Sequence, residues 1–358
     1  MSRIIVAMSG GVDSSVAAFL LQKEGHQVTG VTMQIWDGGP SYDGGARHAC
    51  YGPDGQDIED ARKVARSLDF PFYVFDLRNQ YRIEVLDYVR EEYLAGRTPN
   101  PCIRCNRKVK LEDLVRKARE AGIAFDYVAT GHYARVEWSH SKNRWLLRKA
   151  VDETKDQSYF LYALSQGQLA CSIFPLGNYV KQEVRKLAAD LDLGIGDKPE
   201  SQDFIAGGYS SLLEMDAQPG SILDRQGNIL GKHRGIQYYT IGQRKGLGIS
   251  ASEPLYVIDI NAGSNSVTVG TKEDVYGDEL ICSGFNWVSI EKLSHPTDIK
   301  AKIRYNHKEA EAAISPLDED KAHVKFKEPQ MAITPGQAIV FYSEDLIVGG
   351  GTIAHRVR

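Results

Sequence analysis

The first fifteen residues constrain the fold of this chain more than any other stretch. Ile4 to Met8 form a short apolar run, which is typical of a buried strand. Gly10 and Gly11 then predict a sharp turn, and the apolar residues that follow predict a helix closed by Gly25. A buried strand that leads through a glycine turn into a helix indicates an α/β fold.

The same strand, turn and helix predict an anion-binding cradle. Backbone amides of the turn and of the first helical turn converge on one spot, where the helix dipole adds positive potential. The two glycines allow a phosphate to approach closely, and Ser9 and Ser14 add hydroxyl donors. The lysine of the common ATPase loop is missing and Asp13 stands in the loop, which suggests Mg²⁺ between carboxylate and phosphate. The alternative is a glycine turn that only reverses the chain.

The rest of the chain divides into an α/β part and a β part. Strand-like runs at 27–33, 72–75 and 125–130 alternate with amphipathic helices, which predicts a doubly wound parallel sheet. Beyond Asp203 short alternating runs take over, among them Gln237–Thr240, and predict small β barrels or sandwiches. We place a catalytic domain at 1–207, a small β domain at 208–278 and a C-terminal β-barrel at 279–358. The glycine-rich stretch 36–56 predicts an irregular flap.

The segment from Gly96 to Lys110 combines two prolines, two cysteines and five cations. Pro99 and Pro101 predict a rigid loop without regular structure. The cations favour the thiolate forms of Cys102 and Cys105 or hold phosphate groups. Half of a structural zinc site and a pair of idle thiols are the alternatives, although zinc usually needs a second C-x-x-C pair.

Composition narrows the class of protein. The 358 residues carry a net charge of −4, with 42% hydrophobic and 25% charged residues, as in ordinary globular enzymes. No charged-then-apolar leader and no apolar run long enough for a bilayer are visible, so we expect a cytoplasmic enzyme without a membrane partner. The acidic total argues against nonspecific polyanion binding, but local basic patches can still hold RNA.

Four further residues are candidates for contact with a nucleotide or another substrate because of their positions in the sequence. Met33 and Gly131 fall at the carboxyl ends of strands, where open α/β sheets place ligands. Met33 suits a backbone contact to adenine or a plain core position, and Gly131 suits close approach to a nucleotide. His132 can contact substrate or serve as a structural histidine, and Lys155 can neutralise phosphate charge.

These motifs together resemble the tRNA-specific 2-thiouridylases, a family within the pyrophosphate-loop ATPases. The likeness runs nearly end to end, and the segments that carry it are 9–14, 57–61, 96–101, 105–106, 129–133, 155–159, 198–202, 239–246 and 334–337.

The resemblance implies adenylation of the 2-oxygen of the wobble uridine (position 34) with ATP and Mg²⁺, then displacement of AMP by persulfide sulfur. It implies that ATP is held by Ala7, Met8, Ser9, Gly10, Gly11, Val12, Asp13, Ser14, Met33 and Gly131. It assigns Asn100, Pro101 and Cys102 to the target base, and His132, Lys155, Asp156, Gln157, Arg304, Tyr305 and Gln337 to the tRNA. Cys105 matches the nucleophile. We expect a monomer served by a persulfide donor protein, either a desulfurase or a relay carrier.

One departure from the family changes the expected sulfur chemistry. Ile205 stands where the family commonly has a second catalytic cysteine, while Cys102 stands where many relatives have an aspartate. Cys102 can replace the missing partner, so that Cys102 and Cys105 share the persulfide and disulfide roles. Alternatively Cys50, Cys102 and Cys105 bind a [4Fe–4S] cluster whose open iron carries sulfide.

Two rival functions use the same features. One is another pyrophosphate-loop synthetase that adenylates a small molecule. The basic cysteine segment and the two β modules argue against it, because a small substrate needs neither. The other is a non-catalytic RNA-binding or iron–sulfur sensor protein, which the missing second cysteine favours.

Overall fold

The computed structural model describes residues 1–36, 49–51, 55–191, 203–205 and 217–357. The chain forms two compact units. The first comprises Met1–Val85, Cys102–Gly208 and Glu344–Ile347, and the second comprises Leu86–Pro101, Tyr209–Ser343 and Val348–Arg358.

The helices and strands are numbered here in chain order. Those up to residue 205 are β1 (Arg3–Ala7), α1 (Val12–Lys23), β2 (Gln27–Gln34), β3 (Ala49–Tyr51), α2 (Gly55–Ser67), β4 (Phe72–Asp76), α3 (Arg78–Tyr81), α4 (Tyr88–Leu94), α5 (Pro101–Arg104), α6 (Leu114–Glu120), β5 (Tyr127–Thr130), β6 (Ala134–Ser139), β7 (Arg144–Lys149), α7 (Gln166–Cys171), β8 (Ser172–Ile173), α8 (Lys181–Asp190) and β9 (Asp203–Ile205). Those that follow are β10 (Gly220–Leu223), β11 (Ile229–His233), β12 (Tyr256–Asn261), β13 (Ser266–Gly270), β14 (Tyr276–Trp287), β15 (Thr297–Lys302), β16 (Ala310–Pro316), β17 (Lys321–Met331), β18 (Ala338–Ser343) and β19 (Leu346–Arg356).

The first unit is built on a parallel sheet, as predicted. Its strand order is β4-β2-β1-β5-β8, and all four neighbouring pairs are parallel. The chain moves outward from β1 through β2 to β4 and then returns to the other side of β1 for β5 and β8. The order therefore reverses between β1 and β5, and open sheets of this kind bind ligands at the carboxyl edge of such a switch point.

Helices cover both faces of this sheet. α1 and α2 pack on one face, where Ile4 and Val6 of β1 meet Ala18 of α1 and Val64 of α2. The right-handed crossover from β4 back to β5 places α6 on the opposite face, where it packs against β2 and β4. Among the described residues, no helix is both long and apolar enough to cross a lipid bilayer.

The second unit holds two antiparallel-rich β structures, which confirms the predicted fold class. A four-stranded sheet has the order β11-β10-β13-β12. The strands β14-β17-β16-β15-β18-β19 form a ring that the pairing of β14 with β19 closes into a barrel. The strand predicted at Gln237–Thr240 was wrong, because Ile236–Tyr238 form a 3₁₀ turn that packs Ile236 and Tyr239 into the core of the smaller sheet.

The prediction of an irregular proline-rich loop was also wrong from Pro101 onward. Helical structure runs without a break through α5, a π-helical segment (Cys105–Asp113) and α6. Proline is tolerated at the first position of a helix, since its missing N–H would have no partner there. Pro101 therefore starts the helix that carries both cysteines. The predicted flap at 36–56 lies largely outside the described residues, apart from β3 and the start of α2.

Candidate active site

The turn after β1 has the geometry of an anion cradle. Gly10 adopts a φ of +71°, and a Cβ there would lie 2.2 Å from the Asp57 carbonyl oxygen, so only glycine fits. Gly11 caps α1, and the Ser14 hydroxyl accepts a hydrogen bond from the Ser9 amide at 3.2 Å and donates to the Gly11 carbonyl at 3.2 Å. The turn is thus held by its own hydroxyls, with Ser9 exposed at its outer side.

The neighbouring strand ends frame this cradle. Ala7 ends β1 and pairs with Thr130 of β5, Met8 is buried, and Val12 opens α1. Met33 lies half-buried near the end of β2. Gly131 directly follows β5, and a Cβ on it would lie 2.6 Å from the Ser14 amide nitrogen. Glycine is therefore required at 131 because β5 packs against the first turn of α1.

Asp13 is the side chain of the cradle that bonds residues from distant parts of the chain. The Lys181 ammonium of α8 bonds both carboxylate oxygens, at 2.7 and 2.8 Å, and the Tyr133 hydroxyl donates to one of them at 2.9 Å. The Lys181 side chain is only 10% exposed, against 29% for Asp13. A Mg²⁺ ion at Asp13 would therefore share this carboxylate with Lys181 and Tyr133 or take the place of one of them.

Hydrogen bonds link the cradle to the cysteine helix within the first unit. The Tyr133 amide donates to Gln157 Oε1 at 3.0 Å, and the Phe160 amide donates to the Gln157 carbonyl at 2.9 Å. Asn106 Nδ2 in turn donates to the Phe160 carbonyl at 3.3 Å. Asn106, which is 2% exposed, directly follows Cys105, so a continuous set of contacts joins Asp13 to the cysteine segment.

The direction of the cysteine helix brings its thiols to the edge of the sheet that carries the cradle. α6 leads after six residues into β5, and the Asp126 amide donates to the carbonyl of Arg3, the first residue of β1, at 2.8 Å. The helix therefore ends at the amino edge of the sheet and begins at the carboxyl edge. A helix of this length spans roughly 30 Å, more than the strands it accompanies.

Both cysteines are free thiols on this helix. Cys105 is 7% exposed, whereas Cys102 is of intermediate exposure. Residues three apart lie on the same side of a helix, with Cβ atoms about 5–6 Å apart. A disulfide needs a Cβ separation of about 3.5–4.5 Å, so bonding the two sulfurs requires a local change in the first helical turn.

The positive charge of this segment is smaller than its five cations suggest. Arg97 bonds Glu92 with nitrogen–oxygen distances of 2.5 and 2.7 Å, Arg104 bonds the Glu84 carboxylate at 3.0 Å, and Lys108 lies 3.2 Å from Glu112. Three of the five cations are therefore already paired with acids, which weakens their effect on the thiols. The acids responsible come from the preceding helical residues and from the next helical turn.

His132 is held as a neutral imidazole. Its Nδ1 lies 2.6 Å from the Thr130 hydroxyl, and its ring meets the edge of Phe174. Burial, and to a smaller extent the charge of Lys110, lowers the pKa of His132 to about 3. A neutral histidine can donate or accept one hydrogen bond here without carrying charge.

Two other predicted tRNA-contacting residues of the first unit have internal partners. The buried carboxylate of Asp156 accepts hydrogen bonds from the Ala150 and Ser158 amides and from the Ser158 hydroxyl, at 2.8–3.2 Å. Gln157 holds Tyr133, as described above. Lys155 is half-buried in the turn before them. Asp156 and Gln157 thus shape this turn, whatever else they contact.

The remaining predicted residues belong to the second unit, where Gln337 fixes the segment ahead of the cysteine helix. Gln337 Nε2 donates to the Thr98 and Pro99 carbonyls at 2.9 and 3.1 Å. Arg304 donates to the Ile241 carbonyl at 3.0 Å and to the Thr334 hydroxyl at 2.5 Å. The ring of Tyr305 lies under the Lys302 ammonium, Asn100 is half-buried, and Pro101 is buried.

The described residues provide two of the three thiols that a cluster would need. No three His, Cys, Asp or Glu side chains within the described ranges come together as a metal site. Cys50 lies on β3, whose backbone pairs in parallel with β9, the strand that ends at Ile205. The Cys50 side chain lies outside the described part, as does the matched segment 198–202.

Sequence reasoning missed Lys181 and Asn106. Lys181 lies 168 positions from Asp13 in the chain, and no local motif signals such a pair. Its position as the first residue of an amphipathic helix reads as an ordinary surface lysine. Asn106 belongs to a motif segment but had no predicted role of its own. Its burial against Phe160 depends on a helix that the two prolines argued against.

Comparisons with known proteins agree with this architecture. Residues 2–206 match the family described as the tRNA methyl transferase HUP domain, 213–271 its PRC-barrel domain, and 277–353 the aminomethyltransferase β-barrel domain. The chain is 48% identical over 364 residues to tRNA-specific 2-thiouridylase MnmA 2 of Thermoanaerobacter sp. strain X514, covering 100% of this chain and 99% of the relative. It is 47% identical over 354 residues to MnmA of Endomicrobium trichonymphae, covering 98% of each. The chain therefore belongs to the family of tRNA-specific 2-thiouridylases.

Proposed function

We propose that this protein converts uridine at the wobble position of tRNA into 2-thiouridine, with ATP as the activating substrate. The observation that carries the proposal is a chain of hydrogen bonds through Tyr133, Gln157 and Phe160 that joins two parts of the first unit. One is the cradle at the switch point between β1 and β5, and the other is the helix that starts with Cys102 and Cys105. Full-length relatives named as 2-thiouridylases support it.

The cradle suits the first half of the reaction. The uracil 2-oxygen attacks the α-phosphorus of ATP, pyrophosphate leaves, and the proton on N3 is lost, which gives a 2-O-adenylyl base. Amides of the Gly10–Gly11 turn and of the α1 N-terminus face the leaving pyrophosphate and stabilise its charge. A Mg²⁺ ion bound with the phosphates would neutralise further charge.

The cysteine helix suits the second half. Persulfide sulfur on Cys105 attacks C2 of the adenylated base, and AMP leaves. The Cys102 thiolate then attacks the Cys105 sulfur, which breaks the sulfur–sulfur bond, leaves the sulfur on C2 and forms a Cys102–Cys105 disulfide. A cellular dithiol reduces this disulfide, and a persulfide donor protein reloads Cys105. Because Cys102 lies in the first helical turn, the required local change disrupts few helical hydrogen bonds.

The alternative for the sulfur step is a [4Fe–4S] cluster on Cys50, Cys102 and Cys105. The experiment that separates the two schemes is in vitro thiolation of a tRNA anticodon stem-loop by wild type and by Cys50→Ser, Cys102→Ser and Cys105→Ser variants. Cys171→Ser, a change in a half-exposed thiol of α7, serves as the matched control. The product is quantified by mass spectrometry, and iron and labile sulfide are assayed after anaerobic purification.

The persulfide scheme predicts that Cys102→Ser and Cys105→Ser abolish thiolation, while Cys50→Ser and Cys171→Ser retain it in an iron-free protein. Both inactive variants should still release pyrophosphate from ATP when the stem-loop is present, because the cradle is untouched. Loss of activity in Cys50→Ser together with bound iron would establish the cluster instead. Full thiolation by Cys105→Ser would refute the assignment of the nucleophile, and pyrophosphate exchange that needs no RNA would favour a small-molecule synthetase.

A further inference from the structure

We infer that Lys181 is the phosphate-binding cation of this active site, and that Asp13 holds it at the cradle until the nucleotide arrives. The inference rests on the proposed function, since it concerns the ATP that the cradle binds. The loop itself contains no lysine between Ser9 and Ser15. α8 instead brings an ammonium group to within 2.7 Å of the loop's carboxylate.

The position of Lys181 is fixed from several sides. Its own amide donates to Asp152 Oδ2 at 2.9 Å, which anchors the start of α8. Its ammonium lies 5.5 Å from the centre of the Tyr133 ring and bonds both oxygens of Asp13. α8 packs along α1 through Val184 and Ala188. The ammonium is therefore held beside the first turn of α1 by packing as well as by charge.

The burial of Lys181 argues for an exchange of partners. A buried ammonium is stable only with a counter-charge, and Asp13 supplies it in the free protein. An aspartate at the mouth of an anion cradle repels phosphate, so its charge must be compensated when polyphosphate binds. Mg²⁺ prefers carboxylate and phosphate oxygens. With magnesium pyrophosphate bound, Asp13 would hold the metal and Lys181 would bind the β- and γ-phosphates.

This exchange predicts which ligands depend on Lys181. ATP and pyrophosphate present the phosphates that the ammonium binds, whereas AMP lacks them. Loss of a charge-assisted hydrogen bond weakens binding by about tenfold to a hundredfold. A purely structural Lys181 would instead affect all three ligands alike, because it would act through the folding of the cradle.

The test is calorimetric binding of α,β-methylene-ATP, inorganic pyrophosphate and AMP to the full-length protein, with and without Mg²⁺. Lys181→Met should bind the first two about tenfold to a hundredfold more weakly and AMP within about twofold of wild type. Lys186→Met makes the same chemical change at an exposed position of α8 and should match wild type. Asp13→Asn should lose the Mg²⁺ enhancement of pyrophosphate binding while retaining binding without the metal.

The double variant Asp13→Asn, Lys181→Met separates binding from folding. It leaves neither charge without its partner, so its thermal midpoint should lie above that of Lys181→Met, while pyrophosphate binding stays weak. Equal losses for AMP and pyrophosphate in Lys181→Met, or unchanged pyrophosphate binding, would overturn the inference. Thiolation by wild type, measured in parallel, reports on the proposed function alone.

Discussion

Replacement of Gly131 by alanine should damage the cradle without removing any functional group. The new Cβ would lie 2.6 Å from the Ser14 nitrogen and 2.7 Å from the Asp13 carbonyl carbon. Both atoms are backbone of the first turn of α1, so no flexible side chain can move aside. The shortfall from ordinary contact is about 0.8 Å, and displacements near 1 Å in an active site cost up to about a hundredfold in rate. Overpacking adds a stability loss of about 1–3 kcal/mol.

The assay for this change is stem-loop-dependent pyrophosphate release, together with thermal unfolding. We expect Gly131→Ala to lower kcat/KM for ATP by about tenfold to a hundredfold. Gly167→Ala is the matched control, since its Cβ would lie 4.0 Å from the Ser165 hydroxyl and its helical position favours alanine. If Gly131→Ala kept both the wild-type kcat/KM and the wild-type melting temperature, the contact between β5 and α1 would not be what requires glycine.

Two further changes test separate parts of the site. The lowered pKa of His132 means that the unfolded chain takes up the proton first, so stability falls as pH drops from about 6.5 towards 3. Relative to His132→Gln, wild type should lose about 2 kcal/mol more between pH 7 and about pH 4.5 in denaturant titrations. Gln337→Leu removes the donors to the Thr98 and Pro99 carbonyls and should weaken stem-loop binding several-fold in titrations while AMP binding stays unchanged. If wild type and His132→Gln lost stability equally with falling pH, the first explanation would be contradicted. If Gln337→Leu lost AMP binding as much as stem-loop binding, the second would be contradicted.

The parallel sheet and its cradle could be predicted because their signals are local. The apolar run of β1, the two glycines and the start of α1 are contiguous, and each carries a preference that the fold satisfies. The reversal of strand order between β1 and β5 follows from the same alternation of strands and helices. Both β structures of the second unit were predicted from short alternating runs for the same reason.

The predictions from sequence that failed concern features that depend on distant residues or on helix ends. Pro101 was interpreted as a breaker, although the same chemistry makes proline suitable for the first position of a helix. The compensation of Arg104 by Glu84 joins positions twenty residues apart, and that of Asp13 by Lys181 joins opposite ends of the first unit's sequence. Motif reading counts charges, whereas the fold decides which of them are already paired.

This pairing sets how the site should respond to salt. Each cation that meets RNA phosphate releases counterions and steepens the fall of affinity with salt by about 0.7–0.9 in the logarithmic slope. Lys108 already faces Glu112 at 3.2 Å, so it contributes less than a free lysine would. Glu112→Gln should steepen the slope of stem-loop affinity against salt by up to about 0.9, whereas Glu319→Gln, an exposed acid of the second unit, should leave it unchanged. An unchanged slope in Glu112→Gln would mean that Lys108 does not meet phosphate.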